Sequence, residues 1–369
     1  MNIVAKATIL TGALMLGIAV PLFAQIPDLT KDAASLDRKL TYNLGATGLR
    51  GWIYTRAANN LDAAQGRTTL ASRQILVTHV GMGSPADGVV KVDDVILGVE
   101  GKPFNDDARK SMAMAIQNAE TEARGGMLKL SVSRGGTVQE LSIKLAVMGA
   151  YSATAPWKCE KSGRILDQAC KVLEKEKMGK DWTGSIQGLA LLAAGKPEYL
   201  PKLQDFARSL AALQVDPNKK PDGPVWGDTW QLAYRNLFLC EYFLITSDKE
   251  VLPAIDDIAL SLARGQGMYG TFGHGFAALT RDGKFNGSVP PYGPVNMAGL
   301  PANLSIVLAK KCGVSHPEID EAITRAAGFF GYFTDKGAIP YGEHEPWPYH
   351  ENNGKNSITA VMFSTIGNK

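Results

Sequence analysis

The 369-residue sequence predicts a multidomain chain, an α+β domain followed by an all-α one. Two observations carry this. Up to about residue 147, short apolar runs are separated by Gly, Pro and Asp turns, with one helix-length segment among them. Past a linker at 148–158 the strand signals stop, and apolar residues recur at helical spacing in paired segments. With 45 % hydrophobic and 20 % charged residues the composition is that of a globular protein. A net charge of +3 without a basic cluster argues against a nucleic-acid partner.

The N-terminus predicts the compartment. Lys6 precedes an apolar run from Ala7 to Phe23 that closes in Leu22-Phe23-Ala24-Gln25, a small residue standing before a cut. At about 17 residues, with Pro21 near its end, the run suits a signal peptide over 1–24 better than an uncleaved anchor, and the protein is expected to be secreted or periplasmic. Residues 25–39 read as a linker or N-terminal extension. No later segment is apolar enough to span a bilayer, so no membrane partner is expected beyond the signal.

Within 40–147, Gly83-Ser84-Pro85-Ala86-Asp87-Gly88 predicts a short helix, opened by Ser84 and Pro85 and stopped by Gly88. Asp93-Asp94 turns the chain into a strand over 95–99, and Glu100-Gly101 supplies the next turn. Residues 74–79 read as a strand and 106–122 as a helix. Residues 127–132 and 140–145 read as a hairpin turned at Arg134-Gly135-Gly136. This order, with Gly83 to Gly88 and Val90 to Pro103 at its centre, resembles the PDZ domain of bacterial periplasmic proteases over roughly residues 40–147. The resemblance implies a β-sandwich or barrel with capping helices that takes a peptide or protein C-terminus as an added strand. The matching position is Leu49-Arg50-Gly51-Trp52, where Arg50 replaces the usual apolar residue and Trp52 a smaller aromatic. Arg50 would add charge to a carboxylate site and Trp52 wall the side-chain pocket. The plainer reading makes Arg50 solvated and Trp52 core. Arg109, Met112 and Ile116 would face the groove, and the insert 57–72 could cover it.

Four cysteines in an exported chain could form two disulfides. Cys159 and Cys170 are the favoured pair, Cys240 reads as a buried thiol in an apolar helix, and Cys312 is open to either state. No Cys-x-x-Cys or paired-His spacing supports a structural metal, and no cofactor motif is present.

Residues 159–369 show three hairpins of one scheme, an apolar small-residue-rich helix, a short turn and an amphipathic helix. They run 183–194 with 198–213, 229–245 with 251–264, and 295–311 with 317–333. A fourth apolar helix begins at Asn356 and ends near Gly367-Asn368-Lys369 without its partner, so the domain is expected to be truncated at its C-terminus. Repeated inner and outer helices with long loops at one end resemble an α/α toroid of the terpenoid cyclase and glycan lyase type, here incomplete. A PDZ-like domain joined to such helices, with Gly48-Leu49-Arg50-Gly51-Trp52 near the start and Asn353-Gly354-Lys355-Asn356 near the end, is similar to an uncharacterised family of secreted bacterial proteins carrying a domain of unknown function.

In a toroid the loops before the inner helices gather at one mouth, and here they hold the chemistry-bearing residues. These are Trp182; Trp226, Asp228 and Trp230; His274 and Tyr292; and Tyr341, His344, Glu345, His350, Lys355 and Asn356. Aromatic rings with carboxylates and imidazoles suit a carbohydrate site. His274, His344, Glu345 and His350 are the catalytic candidates, and Trp226, Asp228, Trp230, Tyr292, Tyr341, Lys355 and Asn356 the ligand-binding ones. Blander roles stand beside these: helix-start packing for the tryptophans, an N-cap for Asp228, capping of the last helix for Asn356. Two functions follow. One is an exported binding or scaffold protein that recognises peptides or protein termini at the PDZ-like domain and a second ligand, such as a glycan, at the toroid mouth. The other is a carbohydrate- or polymer-active enzyme of lyase or hydrolase type. A serine protease is excluded by the absence of a Gly-x-Ser-x-Gly elbow, and terpene cyclase chemistry by the absence of an Asp-rich motif.

Overall fold

The computed structural model describes residues 28–32, 41–53, 73–105, 107–218, 228–277, 290, 292–347 and 354–367. The chain divides into two compact units after Ile165.

The N-terminal unit is an antiparallel sheet with one long helix. After the short α1 (Leu29–Asp32) come β1 (Tyr42–Asn43), β2 (Leu49–Trp52), β3 (Ile75–Val80), β4 (Val95–Val99), β5 (Lys102–Pro103), α2 (Ala108–Ala119), β6 (Met127–Arg134) and β7 (Thr137–Lys144). The strands lie in the order β1-β2-β3-β4-β6-β7, with β5 also on β4. Strand alternation sorts the side chains onto two faces. Leu49, Ile75, Val77, Ile96, Leu128 and Leu130 form one core with Met112, Ala115, Ile116 and Ala119 of α2. Leu76 and Val95 meet Leu29 on a second, smaller cluster. Asp107 caps α2 by accepting from the Arg109 N–H at 3.0 Å.

Two tight turns come directly from the sequence. Gly135 and Gly136, at φ 56° and 82°, close the β6–β7 hairpin, and Glu100-Gly101, at 53° and 73°, joins β4 to β5. The short helix expected at 83–88 is a run of overlapping turns instead, in which the amides of Ser84, Asp87 and Val89 bond three residues back. Gly83 and Gly88, at φ 69° and 75°, break the helical repeat at either end. Asp94 locks the next turn to the hairpin: its carboxylate takes two bonds from Arg134, at 2.8 and 2.7 Å, and Arg134 also donates to the Val89 carbonyl.

The second unit is helical. A helix that the sequence reading did not place, α3 (Glu160–Lys175), begins in the first unit and runs into the second, and it is followed by the hairpins α4 (Trp182–Ala193) with α5 (Leu200–Ala211), α6 (Asp228–Thr246) with α7 (Leu252–Gly265), α8 (Asn296–Lys311) with α9 (Pro317–Gly331), and the last helix α10 (Lys355–Ile366). Helices α4, α6, α8 and α10 pack side by side in one layer, and α5, α7 and α9 form a second layer against them. Composition explains the layering. Helix α8 is buried on nearly all sides, as an all-round apolar helix must be, whereas α5 buries only Leu203, Phe206, Ala207 and Leu210 on one stripe. Gly188 permits a close approach of α4 to α6, since a Cβ there would lie 2.6 Å from the Phe238 ring.

Helix α3 overturns the favoured disulfide. Cys159 lies at its start, its carbonyl accepting from Gly163, and Cys170 lies within it. Eleven residues of helix separate them by about 16 Å along the axis, against a limit of about 7 Å between bridged Cα atoms. All four cysteines are buried free thiols, Cys240 among them. Among the described residues no helix is long and apolar enough to cross a membrane. The expected signal segment 1–24 and the insert 57–72 lie outside the described residues.

Candidate functional site

Residues 49–52 form β2, and both edges of that strand are taken. One edge pairs with β3, and on the other Tyr42 and Asn43 of β1 pair with Gly51 and Arg50. The Leu44 N–H donates to the Leu49 carbonyl at 3.0 Å, and the buried Leu44 side chain joins the α2 core. Arg50 turns to β1 as well, its Nε donating to Thr41 Oγ1 at 2.9 Å and its Nη2 to the Thr41 carbonyl at 3.2 Å. From the helix side, Arg109 stacks on the Tyr42 ring at 4.7 Å. The chain's own residues 41–44 thus hold the edge on which a peptide would be added. Trp52 is half-buried against the Leu29, Leu76 and Val95 cluster, on the sheet face opposite α2, so it walls no pocket between β2 and α2.

In the helical unit, backbone bonds knit together the loops that lead into α6, α8 and α10. The Thr229 N–H donates to the His274 carbonyl, Val295 to Phe272 at 2.7 Å, and Asn296 to Tyr341 at 2.8 Å. Asn296, fully buried, also spends both side-chain N–H groups on this seam, donating to the Pro340 carbonyl at 3.0 Å and the Gly342 carbonyl at 2.8 Å. Gly270 serves the same seam. It sits at φ 85°, and a Cβ would fall 2.4 Å from the Arg325 backbone.

This seam carries a run of rings. Asp181 caps α4 by accepting from the Gly184 N–H, which sets Trp182 at the first helical position, 40 % exposed. Trp182 lies 6.4 Å from Trp230 and 6.1 Å from Tyr234, and the last two stack nearly parallel at 6.4 Å and 6°. Trp230 and Tyr234 are one helical turn apart on α6, so the i, i+4 spacing places both rings on the side facing α4. Next along the seam, His274 lies 5.7 Å from the exposed Tyr292 ring. Beyond these, His344 stacks on Trp347 at 4.9 Å. A cleft of about 510 Å³ opens beside the same loops, lined by Tyr269, Arg325, Phe329, Tyr332 and Glu343 among others, a volume in the range of small-ligand sites.

The expected acid–base residues hold other positions. The Tyr332 hydroxyl donates to Glu345 at 2.5 Å and Lys336 pairs with it at 3.2 Å, so the hydrogen bond from Tyr332, with that from Lys336, pulls the carboxyl below its ordinary 4.5. A carboxyl so held is ionised at neutral pH and unsuited to protonate a leaving group. Since the folded value is depressed, its contribution to stability is complete above about pH 4.5 and is lost as pH falls through the folded value. Replacing Tyr332 by Phe should therefore move the Glu345 titration back toward 4.5, read by carboxyl-carbon NMR. An unchanged titration would refute the contact. The His344 Nδ1 lies 2.8 Å from the Glu345 carbonyl oxygen. A carbonyl can only accept, so Nδ1 carries a proton in this contact.

Lys355 is buried in the first turn of α10. Asn356 does not cap that helix, whose N-cap is Gly354. It reaches back to the preceding loop, accepting from the Ile339 N–H at 2.9 Å and donating to the Gly337 carbonyl at 3.0 Å. Trp226, His350 and the side chain of Asp228 lie outside the described residues. Tyr234 and Arg325, inside helices, and Tyr332, the C-cap of α9, were missed by sequence reasoning, although the i, i+4 pairing of Tyr234 with Trp230 was a usable signal.

Fold and site together define a two-unit chain, a small antiparallel sheet domain and a layered helical-hairpin domain whose loops present clustered aromatic rings. Residues 162–369 match the family described as a domain of unknown function (DUF6288), and the chain belongs to that family. No curated protein and no solved structure matches the chain.

Proposed function

We propose that this is an exported recognition protein, with a PDZ-like N-terminal unit and a toroid-like helical unit whose loop seam binds a polyhydroxylated, glycan-like ligand without chemistry. The observation that carries the reading is the three-ring cluster of Trp182, Trp230 and Tyr234, contributed by two helices and partly open to solvent. Flat apolar rings stack on the C–H face of a sugar while its hydroxyls bond to polar neighbours, and a burial of one such ring stabilises a complex by about 1.5–3 kcal/mol. Elsewhere along the seam, Arg325 and Glu343 in the cleft beside the Tyr269 and Gly342 loops supply polar groups of both signs. Peptide capture at β2 is a secondary role in this reading, since it requires β1 to leave its edge.

The test is a glycan array followed by calorimetry on the mature chain. Trp182→Ala and Trp230→Ala should each weaken binding of the selected glycan by ten- to a hundredfold. Binding by wild type that neither variant alters would overturn the assignment to these rings. An enzyme reading is favoured by one observation, the His344 imidazole stacked on Trp347 with its Nδ1 held by the Glu345 carbonyl. Turnover of a bound glycan that His344→Gln abolishes while binding persists would establish it in place of simple recognition.

A further inference from the structure

Two thiols of the helical unit stand together although 72 residues separate them. Cys240 lies in α6, fully buried, and Cys312 is the C-cap residue of α8, 8 % exposed. Cys240 ends a stripe of α6 that includes Thr229, Ala233 and Asn236 at positions i, i+4 and i+7. That stripe faces α8, since Asn236 Nδ2 donates to the Ser305 carbonyl at 3.3 Å. At its end, Cys312 Sγ lies 3.7 Å from the Cys240 carbonyl oxygen, and the two thiols are within hydrogen-bonding reach of each other.

We propose that Cys240 and Cys312 are a covalent modification site, joined as a disulfide between α6 and the end of α8 by exchange with a protein or small-molecule disulfide. The Cys312 thiolate attacks one sulfur of the donor disulfide, forming a mixed disulfide and releasing one donor thiolate. Cys240, deprotonated, then attacks the Cys312 sulfur, breaking the mixed disulfide and releasing the second donor thiolate. Two electrons pass from the cysteine pair to the donor, and the two cysteine protons complete the donor thiols. The order of attack follows from the surroundings. Cys312 lies at a helix end beside the exposed Gly313, and the hydrogen bond from Cys240 holds its thiol below the ordinary value. Burial, and then the bond to Cys312, pushes the Cys240 thiol well up, so it acts second, once the partner sulfur is in place.

The test uses the folded full chain incubated with glutathione disulfide, alkylated in denaturant without reduction and digested. The expected mass spectrum contains one cross-linked peptide uniting the Cys240 and Cys312 segments and lacking two hydrogens. The thermal midpoint should stand on the order of 10 °C above that of the same protein in reductant. Cys312→Ser should lose both the cross-link and this redox dependence. Should that variant fail to fold, the wild-type comparison alone decides. Recovery of both peptides fully alkylated overturns the proposal, and so does linkage of either cysteine to Cys159 or Cys170.

Discussion

Replacing Glu120 by alanine is expected to cost the N-terminal unit about 3–5 kcal/mol. Glu120 closes α2 and accepts from Lys161 Nζ at 2.5 Å, and the Lys161 side chain is only 2 % exposed. Truncating the carboxylate strands a buried ammonium, whose desolvation the lost Coulomb attraction no longer offsets. The Glu120 backbone meanwhile keeps its bonds from the Met148 and Gly149 amides, so the loss belongs to the ion pair and not to the cap. The double variant Glu120→Leu with Lys161→Met removes both charges at similar volume and should recover most of the stability. Urea unfolding of the three proteins measures this. A Glu120→Ala protein within 1 kcal/mol of wild type would show the pair to be solvated.

Asn296→Ala is expected to destabilise the helical unit by about 3 kcal/mol, because it leaves the Pro340 and Gly342 carbonyls buried without their donors. Its larger effect is functional. Those carbonyls fix the loop that bears Tyr341, His344 and Trp347, so the variant should also weaken any ligand of the seam by at least tenfold. Asn296→Asp, which keeps the size but loses the donors and buries a charge, should be worse than alanine. Equal ligand affinity in a folded Asn296→Ala protein would mean that the loop is ordered by other contacts. Amide exchange of residues 338–346 separates loss of loop order from global unfolding.

Most elements could be read from local pattern. Strand 95–99 is recovered with its bounds, and the β6–β7 hairpin follows from Gly135-Gly136 because only glycine takes left-handed φ without cost at both turn positions. The helices of the three hairpins lie within a few residues of their expected limits because apolar spacing and helix-start residues act over one or two turns. Helix α3 was overlooked although its sequence carries a usable signal, Leu166, Cys170 and Leu173 recurring at helical spacing among Lys and Glu. The short helix expected at 83–88 failed for a different reason: start and stop signals one turn apart leave too few backbone bonds to offset helix nucleation.

The candidate site was legible in kind and not in arrangement. The loops before the apolar helices, in which the sequence concentrates its aromatics, are bonded to one another along the seam that carries His274, Tyr292, Tyr341 and His344. Their roles depended on neighbours distant in sequence. Glu345, read as a catalytic acid–base candidate, is held ionised by Tyr332 and Lys336. Arg50, read either as a carboxylate anchor or as a solvated side chain, is exposed and clasps Thr41.

By itself, then, the sequence determined the two-unit order, an antiparallel sheet domain before helical hairpins, and the loops in which polar and aromatic residues concentrate. These are consequences of periodicity and turn chemistry, which act between residues a few positions apart. Only the tertiary structure decided that β1 fills the edge of β2, that Asn296 ties the 340–342 loop to α8, and that Cys240 meets Cys312. Each depends on which groups burial forces together, and burial couples residues through space whatever their separation along the chain.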